Sequence, residues 1–190
     1  CMPCIKHQNG FTGEILLYDD YFNYFDTDSI FLQNNEQHEL NFFLENSDGS
    51  KIVKKLLFSG NSFTINHSFE ITNSNFNYSD KIMLAWIDGI LPTEKIERED
   101  IDYGAFVANL GEDYEHFYYT DSKNIDVVSI AGNSNWVGIK NKYFLLSLIP
   151  NKKTSSIGHS YRSFPFGNRK ITPLYSAFMS FDVQENFSLS

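Results

Sequence analysis

Paired carboxylates and histidines are the residues of this 190-residue sequence whose types and spacing could do chemistry. Two carboxylates across a cleft could hydrolyse a glycoside, and a histidine–glutamate pair could exchange protons with a sugar. For the second chemistry, the candidates are His67 or His159 with Glu115. The acidic groups are Asp19-Asp20, Asp26 with Asp28, Glu97 with Glu99-Asp100, and Glu112-Asp113. In a protein of net charge −9, such residues are mostly solvated. We therefore expect no catalytic residue among them.

Motifs for metal, cofactor or nucleophile chemistry are missing from the sequence. The five histidines show no ligand spacing such as His-x-x-x-His. Neither a Gly-x-x-x-x-Gly-Lys phosphate loop nor a Gly-x-Ser-x-Gly elbow occurs. His67 falls on the apolar side of a strand pattern, where a hydrogen-bonded core histidine is the expected role. We predict a protein that is not an enzyme and that binds no metal and no cofactor.

The two cysteines, Cys1 and Cys4, open the chain and leave three interpretations. A Cys-x-x-Cys redox motif normally precedes a helix in a βαβ setting, which does not follow here. Cys1 could instead be the acylated start of a lipoprotein, or the pair could be incidental to a truncated end. Both ends of the sequence suggest truncation, since the chain starts abruptly and stops directly after a strand-like segment.

Composition limits the class of protein and of partner. Lys and Arg total 15 against 24 Asp and Glu, which argues against binding to nucleic acid or to anionic lipid. Aromatic residues make up 16% of the chain, which suits strands better than helices. No apolar run reaches the roughly 18 residues that a membrane-spanning helix needs. These features indicate an acidic, β-rich globular domain.

Short alternating runs separated by turn residues predict the strands. Phe42–Leu44 and Ile52–Phe58 flank an Asp-Gly turn, which predicts a hairpin with positive φ at Gly49. Alternation over Ser62–Thr72 predicts a long, half-buried strand. Pro92–Tyr103 is charged and predicts a solvated loop with one helical turn. Further strands are predicted at Lys81–Ile87, Phe106–Asn109, Glu115–Tyr119, Asn124–Ile130, Trp136–Ile139, Tyr143–Ile149 and Ala177–Val183.

These elements predict an all-β fold of mainly antiparallel strands, with one or two short helical turns and no helical crossovers. We expect residues 1–12 to be an irregular, truncated N-terminal end. Residues 13–190 are expected to form a single β-sandwich domain, incomplete at its start.

The segment Asn135–Pro150 carries the most specific pattern. It resembles the signature "W-v-g-(hydrophobic)-K-x-x-Y-F-x-x-x-(hydrophobic)-I-P" of the periplasmic domain in the YidC family of bacterial membrane protein insertases. The residues that match are Trp136, Gly138, Lys140, Tyr143, Phe144, Ile149 and Pro150. We expect Trp136, Tyr143 and Phe144 to contribute apolar area to the sandwich core, with Ile139, Leu146 and Leu148.

Two further segments resemble the same family in the same order. The hairpin from Asn35 to Asn73 is similar to that domain's hairpin, and Trp86, Gly89, Thr93 and Glu94 are similar to its "W-x-x-G-(hydrophobic)-x-x-T-E" stretch. The resemblance covers residues 36–149.

The resemblance implies a β-supersandwich like that of sugar mutarotases, facing the periplasm from the bacterial inner membrane. It implies a role in membrane protein insertion, with nascent membrane proteins and components of the Sec translocon as partners and without catalysis by this domain. It also implies that the insertase core of transmembrane helices is missing here. Two alternatives stay open: a carbohydrate-binding or carbohydrate-processing β-sandwich, and a free-standing envelope lipoprotein adaptor.

Overall fold

The computed structural model describes residues 3–10, 15–17, 23–24, 29–47, 49–77, 79–92, 95, 97–118, 124–183 and 187–189. The described residues contain one helix, α1 (Glu97–Tyr103), and fifteen strands joined by turns and irregular segments. The strands are β1 (Cys4–Gln8), β2 (Ile15–Leu17), β3 (Asn23–Tyr24), β4 (Gln37–Glu45), β5 (Lys51–Ser59), β6 (Asn66–Thr72), β7 (Lys81–Trp86), β8 (Ala105–Leu110), β9 (Asp113–Tyr118), β10 (Asn124–Ala131), β11 (Trp136–Lys140), β12 (Leu145–Leu148), β13 (Ser156–Phe166), β14 (Arg169–Asp182) and β15 (Phe187–Leu189). The predicted all-β class is confirmed.

The strands form three sheets, in which every pair of neighbours is antiparallel. The six-stranded sheet has the order β10-β13-β14-β7-β1-β2, the four-stranded sheet β12-β11-β8-β9, and the five-stranded sheet β15-β6-β5-β4-β3. One buried cluster contains residues from all three, including Met179, Phe106 and Ile52. The predicted sandwich therefore has a core shared by the three sheets.

The predicted β4–β5 hairpin is confirmed. Leu44 pairs with Ile52 and Phe42 with Lys54, and Gly49 has φ of 86° in the turn. A positive φ is accessible to glycine at little steric cost, which explains the Asp-Gly step. The following strand is shorter than predicted, because β6 begins at Asn66 and Phe63 is fully exposed before it.

The N-terminal end is not irregular, contrary to the prediction. β1 lies inside the six-stranded sheet, between β7 and β2, and Cys4 and Ile5 are fully buried in it. Cys4 is disulfide-bonded. Just before the strand, the buried ammonium of Lys54 donates a hydrogen bond of 2.7 Å to the carbonyl of Pro3. This strand was not predictable from sequence, because it contains several polar residues. The buried residues that pack around it come from distant parts of the chain.

Asp80 fastens the far end of β1. Its carboxylate accepts hydrogen bonds from His7 Nε2 at 3.0 Å and from the backbone N–H groups of Gly10 and Asn77 at 3.0 and 3.1 Å. Burial opposes ionisation of this carboxyl, but these donors outweigh it and hold the pKa of Asp80 below its usual value. The ionised carboxylate of Asp80 therefore has a structural role.

Two long strands were missed or shortened in the sequence analysis. β13 was not predicted, and β14 begins at Arg169 rather than near Ala177. Pro165 lies at a register shift between β13 and β14, and Pro173 lies within β14. Proline is confined to edges, first positions and bulges of sheets, so both residues weaken a strand signal. No helix among the described residues is long and apolar enough to span a membrane.

Candidate interaction surface

The outer face of the four-stranded sheet carries a row of aromatic and apolar side chains. Strand register sets Tyr118, Lys140 and Leu145 in one row across the sheet, and Tyr114 and Trp136 in another. The rings of Tyr114 and Trp136 lie 6.2 Å apart, and the Lys140 ammonium lies 5.7 Å from the Tyr118 ring centroid. These residues define the outer aromatic face. Aromatic rings with polar tips suit the binding of polypeptide, because they offer a large contact area and hydrogen bonds together.

Gly138 forms the floor of this face at the middle of β11. A methyl group there would lie 2.7 Å from the carbonyl oxygen of Leu146 and 2.9 Å from Cδ1 of Leu145. The Leu145 side chain therefore occupies the space that a side chain at position 138 would need. This close approach gives a physical reason for glycine in the Trp-x-Gly pattern.

The turn between β11 and β12 is held by Asn141 and Lys142. The Asn141 side-chain oxygen accepts hydrogen bonds from the N–H groups of Tyr143 and Phe144 at 2.9 and 2.8 Å. Lys142 donates to Glu99 of α1 at 3.0 Å, and its ammonium lies 5.1 Å from the ring centroid of Tyr143. The hydrogen bond from Lys142 to Glu99 is the main cause that raises the pKa of Lys142. An Asx turn and an ion pair thus fix the turn against the helix.

Gly89 lies beneath the outer aromatic face and connects two of the segments singled out in the sequence. A methyl group on Gly89 would lie 2.9 Å from Cδ1 and Cγ2 of Ile139 and 2.9 Å from the carbonyl oxygen of Tyr175. Ile139 is buried on the core side of β11. The Gly89 segment and the Trp136 segment therefore pack together, although 47 residues of numbering separate those two residues.

Substitution of Gly89 by alanine tests this packing. We expect a loss of about 1–3 kcal/mol in the free energy of unfolding, because neither Ile139 nor the Tyr175 backbone can yield without strain. Urea denaturation measures the effect, and Ser147→Ala, at an exposed position of β12, is the control. Equal urea midpoints for the two variants would show that the Gly89 contact is not tight.

Asn109 is a structural residue that the sequence analysis missed. This buried residue of β8 donates from its side-chain nitrogen to the carbonyls of Gly111 and Asp113, at 3.1 and 3.3 Å. Its side-chain oxygen accepts from Asn135 at 2.6 Å, and its carbonyl accepts from the Ser134 hydroxyl at 2.6 Å. It therefore joins the β8–β9 turn to the start of β11. An asparagine inside the apolar run of β8 was the available signal.

The structure places the signature residues differently from the expected core. Tyr143 and Phe144 are 60% and 58% exposed, and Ile149 is exposed as well. Trp136 is half-buried on the outer aromatic face, whereas Ile139 and Leu148 lie in the core as expected. Placing Tyr143, Phe144 and Trp136 in the core was therefore wrong. The reason is that Tyr143 and Phe144 lie in the turn before the edge strand β12, and Trp136 points to the side of β11 opposite the buried Val137 and Ile139.

The remaining signature residues that the structure describes lie on or next to different strands. Trp86 ends β7, packs against the core cluster, and has an indole N–H without a hydrogen-bond partner among the described residues. Lys140 is half-buried at the end of β11, and Pro150 follows β12. Thr93 and Glu94 lie outside the described residues.

His159, one of the two histidines considered for acid–base chemistry, is enclosed by aromatic rings. His159 is 2% exposed, and its ring lies between those of Phe106 and Phe117, with centroids at 4.8 and 4.3 Å. Burial lowers its pKa to about 4. Glu115 is exposed on β9, so it does not share a solvent-facing cleft with the enclosed imidazole of His159.

His67 is half-buried on β6 rather than in the core, and it lacks the hydrogen bond that we expected. Neither ring nitrogen has a hydrogen-bond partner among the described residues. Burial, and after it the charge of Lys54, lower its pKa to about 3. Within the described ranges, no group of three or more His, Cys, Asp or Glu side chains could hold a metal ion.

Comparison with known proteins identifies relatives of one kind. The family model described as the YidC periplasmic domain matches residues 10–180. The chain is 31% identical to the membrane protein insertase YidC of Chlorobium limicola over 102 residues, 53% of this chain and 17% of that protein. It is 24% identical to the Chlorobaculum parvum protein of the same name over 73% of this chain and 24% of that protein. For the Rickettsia massiliae protein of that name, the identity is 26% over 79% of this chain and 27% of the relative. The chain thus spans about a quarter or less of the length of these relatives.

Proposed function

Because the chain belongs to the YidC periplasmic domain family, we propose that it serves a membrane protein insertase of the bacterial inner membrane. Its role is to assist the insertion and folding of inner-membrane proteins. The observation that carries this proposal is the family match over residues 10–180, supported by relatives that share the name membrane protein insertase YidC.

The domain acts by docking, without catalysis of its own. The outer aromatic face supports this role, since Tyr114, Tyr118 and Trp136 offer contact area together with polar groups for hydrogen bonds. Partners of this kind are nascent membrane proteins and components of the Sec translocon. The signature residues have a structural part in this proposal: Gly89 and Gly138 set the packing under the face, and residues 13–190 act as one domain.

Site-specific photo-cross-linking in living cells tests the docking role. A photoreactive amino acid replaces Tyr114 in the full protein that contains this chain. We expect cross-links to nascent inner-membrane proteins or to Sec subunits, because Tyr114 is among the most exposed rings of the outer aromatic face. The control places the same amino acid at Ile171, an exposed position on β14 of the six-stranded sheet.

Depletion of the same protein tests the insertase role separately. After depletion, we expect a test inner-membrane protein to remain uninserted on the cytoplasmic side of the membrane. Protease-protection assays measure this. Normal insertion after depletion would contradict the proposed function. Cross-links that are equally strong from Tyr114 and from Ile171 would contradict docking through the outer aromatic face.

A further inference from the structure

β12 forms one edge of the four-stranded sheet. It pairs with β11 from Val137–Leu148 to Lys140–Leu145, and no strand among the described residues pairs with its other side. Along such an edge, the outward-pointing N–H and C=O groups are free to accept another strand.

The side chains along this edge lack charge, and apart from Ser147 those of β12 are apolar. From Tyr143 to Asn151 the sequence contains no Asp, Glu, Lys or Arg. Leu145 is 53% exposed and Ile149 is 74% exposed. Proteins usually protect an exposed edge strand with charges, prolines or bulges, and only Pro150 interrupts this segment, after the strand has ended.

The opposite edge of the same sheet shows what protection looks like. β9 carries Asp113 and Glu115, and both are exposed. Charges on an edge strand disfavour the approach of an apolar strand. The contrast within one sheet therefore singles out the β12 edge as the side open to strand addition.

We propose that the outer edge of β12 binds an extended apolar segment of a partner polypeptide, which adds to the four-stranded sheet as a further strand. The backbone groups of β12 supply the hydrogen bonds, and Leu145 and Ile149 contact alternate side chains of the added segment. This proposal rests on the proposed docking function and names the chemical class of its partner.

Charge disfavours a second copy of this chain as the occupant and selects the flanks of the partner. Lys140 and Lys142 precede the uncharged segment, and Lys152 and Lys153 follow it. Antiparallel pairing of two β12 edges about their centre would bring Lys142 of one copy, which is paired with its own Glu99, towards Lys152 and Lys153 of the other, so that lysines of the two copies meet at both ends. An apolar partner segment with carboxylates at both ends would instead be attracted to these lysines at each end.

Peptide binding to the 190-residue chain tests the proposal. The probe is a labelled synthetic peptide in which valine and threonine alternate between paired aspartates, and the comparison peptide has lysines in place of the aspartates. In fluorescence anisotropy we expect the aspartate peptide to bind at least about tenfold more tightly. In hydrogen exchange we expect it to slow exchange in β12 and not in β9.

The variant Leu145→Lys/Ile149→Lys places charges on the edge at exposed positions. We expect at least about a tenfold loss of affinity for the aspartate peptide. The matched control is Phe43→Lys, at an exposed position of β4 in the five-stranded sheet, and it should bind as the unaltered chain does. Circular dichroism and urea midpoints show whether each variant is folded.

Any one of four results would overturn the proposal. They are equal binding of the two peptides, no binding of either peptide, protection at β9 instead of β12, and a dimer in sedimentation that the double lysine variant dissolves. The depletion assay above reports on the insertase role alone. Normal peptide binding with normal insertion after depletion would therefore refute the proposed function while the strand-edge result stands.

Discussion

Replacement of Phe106 by alanine is expected to lower the free energy of unfolding by about 3–5 kcal/mol. Phe106, the second residue of β8, is fully buried, and its ring contacts Phe117 at 5.8 Å and stacks on His159 at 4.8 Å between centroids. Its removal leaves a cavity between the four-stranded and six-stranded sheets, which close packing elsewhere cannot fill. For a domain of ordinary stability, about 5–15 kcal/mol, this is a large part of the total.

The matched control for this variant is Phe63→Ala. Phe63 is fully exposed before β6, so its truncation should change the free energy of unfolding by no more than about 0.5 kcal/mol. Urea denaturation followed by tryptophan fluorescence measures both variants. If the two midpoints shift equally, the shared core does not depend on the contact between β8 and β13.

Acidification from pH 7.5 to pH 5 is expected to destabilise the domain through His67 and His159. Their pKa values in the folded protein are lowered to about 3 and about 4, whereas an unfolded histidine has a pKa near 6.5. Below pH 6.5 the unfolded chain therefore binds protons that the folded chain does not, so stability falls as the pH falls. At pH 5 the loss is about 2 kcal/mol for each histidine.

Two variants assign this pH dependence to the buried rings. In His159→Phe the new ring fills the space between Phe106 and Phe117 and removes two ring nitrogens that have no partner among the described residues. The slope of stability against pH should therefore fall by about half, and the double variant His67→Phe/His159→Phe should lose most of it. His116→Phe, on exposed β9, is the control for adding phenylalanine to a strand. An unchanged slope in the double variant would refute the assignment.

Strand formation was largely predictable from sequence, because the alternation that marks a half-buried strand is local. The β4–β5 hairpin shows this best, since the Asp-Gly step predicted the turn at Gly49 and the alternation predicted a strand at Ile52–Phe58, which lies within β5. Strands with weak alternation were not predicted or were predicted too short. In β13 and β14, serines, Pro165 and Pro173 obscure a pattern that is stabilised by pairing over many residues. β1 was not predicted, because the residues that hold its two ends, Lys54 and Asp80, belong to segments that are distant in sequence.

The sequence by itself determined that this protein is an all-β domain, which residues form most of its strands, and which family it resembles. Each of these depends on periodicity, on turn residues such as Gly49, or on a motif contained in one stretch of chain. Only the tertiary structure decided that Tyr143 and Phe144 face solvent while Phe106 and His159 share the core. An aromatic side chain is apolar in either place, and its burial depends on whether a second sheet covers its side of the strand. That covering comes from elements far away in sequence, which no local pattern contains.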